Sequence, residues 1–195
     1  GGILLFFRLF LKESILKHNV LTKYDRFVVT RSDFLHRIPH APLTLLSPEY
    51  IWIPNGEDYG GYTDRHIIVH RKDILSILSI GERILTDPLG LYADMTFYQS
   101  WNLERFIKFS FARAGLTSKV RRFPYTMYAV RGPEGHTRWS KGHYCERLGY
   151  FIKYETEYKS YALASRLIKK SEDWSRMRLW VLNILSRRKI GHIFP

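Results

Sequence analysis

The stretch YDRFVVTRSDFLH, residues 24–36, holds the decision about the fold. Phe27, Val28, Val29 and Thr30 are aromatic and β-branched residues that suit a pleated, half-buried surface, so 27–30 is predicted to be a strand. Arg31, Ser32 and Asp33 follow without a spacer. In an open α/β sheet the carboxyl ends of parallel strands face the crevice that takes ligands, and a strand running straight into charge is expected to deliver it there.

Outward from this stretch the chain reads as strands separated by helices and long loops, the pattern of an α/β domain. Residues 50–53 form a second short strand stopped by Pro54, and 67–69 a third. Pro39, Pro42 and Pro48 make 35–49 an extended loop with one helical turn at 43–46. Helical spacing of Ile74, Leu75, Leu78 and Ile84 predicts a helix over 71–85. Asn102 is the expected N-cap of another, with Leu103, Phe106, Ile107 and Phe111 as its apolar stripe. Residues 121–130 are β-prone, 132–142 a basic loop, 150–154 one more strand, and 161–188 helical, with 160–195 a basic C-terminal segment.

A chain of 195 residues that is 45% hydrophobic can build a core, and a single domain over 1–195 is expected. The net charge of +13 is lopsided, because residues 113–195 hold 18 Lys/Arg against 6 Asp/Glu. Such a surface suits a polyanion: nucleic acid, anionic lipid or the diphosphate of a small donor. The lone Cys145 excludes an intrachain disulfide framework. No GxGxxG, Walker loop, HExxH or GxSxG occurs, which argues against hydride transfer, kinase-like, metalloprotease and hydrolase chemistry.

The opening GGILLFFRLFLKE, residues 1–13, is apolar only as far as Lys12, short of the ~20 residues a membrane-spanning helix needs. It lacks the pattern of a signal peptide. Ile3, Phe6, Phe7, Phe10, Leu11 and Ser14 recur at helical spacing, so 3–20 is predicted to be an amphipathic helix packed on the rest, with Lys12 and Lys17 outside. A chain without an initiator Met is expected to be a fragment or a processed form.

Three further segments carry candidate chemistry. NGEDYGGYTDRH, residues 55–66, packs three glycines and three acids into twelve residues, a loop with special backbone needs. WNLERFIKFSFARAGL, residues 101–116, places Glu104 in the first turn of a helix, where an acid is worth ~0.3–1 kcal/mol through the helix dipole alone. RGPEGHTRWSKGHYCER, residues 131–147, gathers Arg131, Arg138, Lys141, His136 and His143 around glycines, a loop suited to closing over a negatively charged leaving group. Asp33 suits a hard divalent cation, which prefers carboxylate and phosphate oxygens.

YDRFVVTRSDFLH followed by IWIPNGEDYGGYTDRHIIVHRKDIL, residues 51–75, resembles nucleotide-sugar glycosyltransferases of the GT-A fold, in particular a group found in chlorella viruses, plants and algae. The resemblance covers roughly residues 20–145. It implies a GT-A-like mixed sheet flanked by helices, here without the N-terminal nucleotide-binding strand. Arg31-Ser32-Asp33 falls where that fold has a DxD motif, so the resemblance makes Asp33 the ligand of a Mn²⁺ or Mg²⁺ ion that bridges the donor diphosphate. Arg31 stands in place of the first acid, which leaves a one-carboxylate site. His136 and His143 are the implied additional metal or phosphate contacts. Arg31, Ser32, Arg138 and Lys141 are implied on the donor side, and Gly60 and Gly61 let the backbone pass close to the sugar. Asp58, Asp64, Arg65 and His66 would bond its hydroxyls, and Glu104 matches the catalytic acid, with Asp64 as rival base.

The expected function is therefore metal-dependent transfer of a sugar from a nucleotide-sugar donor, a UDP-sugar foremost, to a glycan hydroxyl, without nucleic acid as partner. A positioned base favours inversion. The alternatives are a basic nucleic-acid-binding module, on the C-terminal charge with its interleaved Tyr and Trp, and a catalytically inactive glycan-binding domain. Trp174 and Trp180 on a basic helix add a peripheral membrane contact as a further option. The compartment stays open between Golgi lumen and cytoplasm.

Overall fold

A computed structural model describes residues 2–96, 100–134 and 142–171. The helices are α1 (Gly2–Lys17), α2 (Arg71–Leu78), α3 (Glu82–Thr86), α4 (Pro88–Met95), α5 (Leu103–Arg113) and α6 (Glu155–Ser171). The strands are β1 (Arg26–Thr30), β2 (Phe34–His36), β3 (Ile51–Pro54), β4 (His66–His70), β5 (Val120–Phe123), β6 (Met127–Arg131), β7 (His143–Cys145) and β8 (Tyr150–Ile152). The chain thus mixes helices with two sheets. It alternates between two compact units, the first made of Gly1–Thr30, Pro48–Ile53 and Asp58–Val120, the second of Arg31–Ser47, Pro54–Glu57 and the described residues from Arg121 onward.

In the first unit β4 lies between β1 and β3 and runs antiparallel to both, with Phe27 opposite Val69, Val29 opposite Ile67 and Trp52 opposite Ile68. The strand that leads to Asp33 therefore has an antiparallel neighbour, not the parallel one expected of it. β4 reads Ile67-Ile68-Val69, buried throughout, the continuous apolar run of a central strand covered on both faces. Its core partners are Ile51, Ile53, Ile74, Ile77, Leu78, Ile107 and Phe111, all fully buried.

The spacing of α1 is helical, but the opposite face packs. Leu5, Arg8 and Ile15 are buried, whereas Ile3, Phe6, Phe7 and Phe10 are 61–74% exposed. Both faces of this helix are apolar, so periodicity could identify a helix without identifying the side that meets the core. Leu5 sits close enough to the 3₁₀ turn Ser79–Gly81 that a methyl group on Gly81 would lie 3.3 Å from its Cβ. That turn divides the helix expected over 71–85 into α2 and α3. Asp87, accepting from the Gly90 amide at 3.0 Å, and Pro88 in the first turn then start α4, which sequence reasoning did not foresee.

In the second unit the order is β2-β6-β8-β7, antiparallel throughout, with Phe34 opposite Ala129 and Val130 opposite Ile152. β2 lies where an extended loop was expected, and 120–131 divides into β5 and β6. α6 begins six residues earlier than anticipated. It covers β6 through Glu157, which is fully buried and accepts the Ala129 amide at 2.8 Å, and through Tyr158 and Tyr161, whose rings lie 5.1 and 4.7 Å from that of Tyr128. Residues 172–195, with Trp174 and Trp180, lie outside the described residues. No described helix is long and apolar enough to cross a membrane.

Candidate functional site

The polar residues singled out by sequence form two constellations, one in each unit. The first is the glycine-rich loop seated on the start of α5. Gly61 donates to the Asp58 carbonyl at 2.6 Å, Thr63 donates to the Asp58 carboxylate at 3.0 Å, and Tyr62 donates to the Glu104 carbonyl at 2.9 Å. Asn102, the helix N-cap as expected, accepts from Arg105 N–H and donates to the Tyr59 carbonyl at 2.9 Å. Gly61 has a definite reason to be glycine. An added Cβ would fall 1.9 Å from the Glu104 carbonyl oxygen, against backbone that cannot swing aside.

Backbone strain gathers in the same loop. Glu57 and Tyr59 have φ of 53° and 44°, and Gly56 and Gly60 of 134° and 84°. The left-handed region costs an ordinary residue ~1–2 kcal/mol, and such strain is typically stored where a loop must hold side chains in fixed positions.

What the loop holds is charge. Asp64, Arg65 and His66 are buried, and Glu104 is half-buried. Burial pushes the Glu104 carboxyl above the ordinary glutamate value, and the negative charges of Asp64 and Asp58 push the same way, against its own amide hydrogen bond and Arg65. His66 has its Nδ1 2.9 Å from Thr30 Oγ1, across the registered pair that joins β4 to β1. Arg8 was no candidate, yet α1 carries its guanidinium into this neighbourhood. It is buried, donates to the Asp64 carbonyl at 3.5 Å and is attracted to the Asp64 charge. The available signal was a single arginine inside an apolar run.

The second constellation contains Asp33. Arg31 grips it with both Nε to Oδ1 at 2.9 Å and Nη2 to Oδ2 at 2.6 Å, and Arg131 Nη1 donates to Oδ2 at 2.5 Å. Burial would raise this carboxyl, but the two arginines outweigh it and hold it below the usual carboxylate range. The Val130 amide donates to the Asp33 carbonyl at 3.0 Å, so β6 carries both the backbone and a side-chain partner of Asp33. Ser32 is exposed beside it.

The metal expectation can be tested against these donors. Both Asp33 oxygens are occupied by arginines, His143 Nδ1 lies 3.0 Å from Glu155 Oε2, and among the described residues no three His, Cys, Asp or Glu side chains converge on one point. Among the described residues, the donors as arranged do not fit a divalent cation. His136, Arg138 and Lys141 lie outside the described residues.

No family model, curated protein or solved structure matches this chain.

Proposed function

We propose that the chain transfers a sugar from a nucleotide-sugar donor, a UDP-sugar foremost, to a hydroxyl of a glycan acceptor, on a GT-A-like scaffold. The observation that carries this reading is Glu104, a half-buried carboxyl raised by burial and by two neighbouring carboxylates, at the start of a helix locked to a strained glycine loop. A carboxylate whose proton affinity is moved toward neutrality is a better general base than an ordinary surface glutamate, because a base works best near the operating pH.

Glu104 takes the proton of the acceptor hydroxyl. The acceptor oxygen attacks the anomeric carbon and forms the new C–O bond. The bond from that carbon to the diphosphate breaks, and its electron pair leaves on the diphosphate oxygen. Attack opposite the leaving group inverts the configuration. Asp64 and Asp58 accept from sugar hydroxyls and Arg65 donates to them, the division of labour their chemistry allows. No step is routed through a metal ion, since Asp33 is committed to two arginines.

The test is a screen of nucleotide sugars, with mixed glycan acceptors, for release of UDP or GDP. Release that depends on acceptor and is lost in Glu104→Gln is the expected result. Absence of release from every donor, together with no detectable donor binding, overturns the proposal.

A further inference from the structure

Two cavities in the first unit share part of their lining and differ in chemistry. The first, of about 340 Å³, is lined by Leu5, Ile84, Leu91, Leu103 and Phe106, and by Tyr92 and Trp101, whose rings stack with centroids 6.3 Å apart. The second, of about 440 Å³, has Leu91 and Phe106 in common with it and adds Leu75, Ile80 and Phe109. Small-ligand sites are typically ~300–1,000 Å³ and mostly apolar, with a few polar groups that orient the ligand. Neither cavity is lined by Glu104 or by the glycine-rich loop, so both stand apart from the acid proposed as the base.

Charge is confined to the second cavity, which Arg83 and Arg113 line together with the hydroxyls of Ser76, Ser79 and Ser110. Arg83 is committed to Asp87 through Nε and Nη2 and to Asp94 through Nη1. Arg113 gives only Nη1, to Asp94 Oδ2 at 2.9 Å, and among the described residues its Nε and Nη2 have no acceptor. The Phe109 ring centroid lies 5.8 Å from the guanidinium carbon, a cation–π contact that steadies the group. The open edge of a guanidinium is a fork that matches a carboxylate. Neither aspartate lines the cavity, but two aspartates against two arginines leave no surplus positive charge. A monoanion therefore suits the site better than a phosphate of charge about −1.5 to −2.

We infer that the two cavities form one site for a single-chain carboxylic acid, with the hydrocarbon along Leu91, Phe106 and the Tyr92–Trp101 pair and the carboxylate on the open edge of Arg113. This binding function goes beyond the transfer reaction and stands independently of it.

The experiment is calorimetric titration of hexanoate, decanoate and decyl maltoside, each below its micelle threshold, into the whole chain. Decanoate should bind at a single site and at least about tenfold more tightly than hexanoate, because each further buried methylene favours the bound state. Arg113→Met, at a side chain 55% exposed, should weaken decanoate binding about tenfold by removing a charge-assisted fork. Tyr92→Ser, at a residue 65% exposed, should narrow the advantage of decanoate over hexanoate. Circular dichroism confirms that the variants are folded. Absence of decanoate binding overturns the inference, as does decyl maltoside binding as tightly as decanoate, or Arg113→Met binding decanoate as the wild type does. Should a variant fail to fold, the comparison of the three probes on the wild-type chain still decides.

Discussion

Gly61 lies against the peptide that joins Glu104 to Arg105: a methyl group on its Cα would come within 1.9 Å of the Glu104 carbonyl oxygen and 2.3 Å of the Arg105 nitrogen. The loop and the helix can be this close only because the side chain is absent. Gly61→Ala must therefore separate them, with a stability loss of the ~1–3 kcal/mol typical of overpacking. Gly132→Ala, which meets nothing within 4 Å, should cost less than about 0.5 kcal/mol. Urea unfolding of the two variants checks the contrast, and equal effects would contradict the close approach.

The raised Glu104 carboxyl has a pH signature with a definite sign. Its folded value lies above the ordinary 4.5, so the native state keeps this proton when the unfolded chain has lost it. Glu104's contribution to stability is fully present below pH 4.5 and is lost as pH rises through the raised value. Glu104→Gln should remove that decline, which thermal melts across pH 4–7 will show. If Glu104 is the base, kcat/KM rises through the same window, and the Gln variant loses about 100- to 10,000-fold in rate.

Asp33 titrates in the opposite sense. Its folded value lies below the ordinary 3.8, so its stabilisation is present above that pH and lost as pH falls through the depressed value. Asp33→Asn should cost ~1–3 kcal/mol at neutral pH by removing the negative charge that both guanidiniums bond. The gap between variant and wild type should close in strong acid. A gap that is constant down to pH 2 would mean the Asp33 charge does nothing for the fold.

The two faces of α1 make a direct comparison. Leu5→Ala, in the core, should cost about 2–5 kcal/mol. Phe7→Ser, on the exposed face, should change stability by less than about 0.5 kcal/mol. Chemical denaturation of both variants tests the assignment, and the reverse order would show that the apolar stripe, and not Leu5, is buried.

Much of this architecture is legible locally. The strands at β1, β3, β4 and β8 and the Asn102-capped helix follow from β-branched runs, proline stops and a capping side chain, all of which act over a few residues. β2 and β7 were missed because Phe-Leu-His and His-Tyr-Cys lack β-branched residues and lie beside charged, proline- or glycine-rich stretches; they pair because β6 and β8 offer edges. The 71–85 helix was read as continuous because its apolar spacing runs through the 3₁₀ turn that lets Leu5 approach Gly81.

The same division holds for chemistry. The residue types at 31–33, 58–66 and 104 announced charge beside strands and a helix start, since side-chain chemistry and capping are properties of short segments. Which charges meet is a matter of distance between parts far apart in the chain. Arg131 reaches Asp33 across 98 residues, and Arg8 reaches Asp64 across 56. Packing of the sheet and helices brought those pairs together, and it turned a presumed cation ligand into a carboxylate held by two arginines.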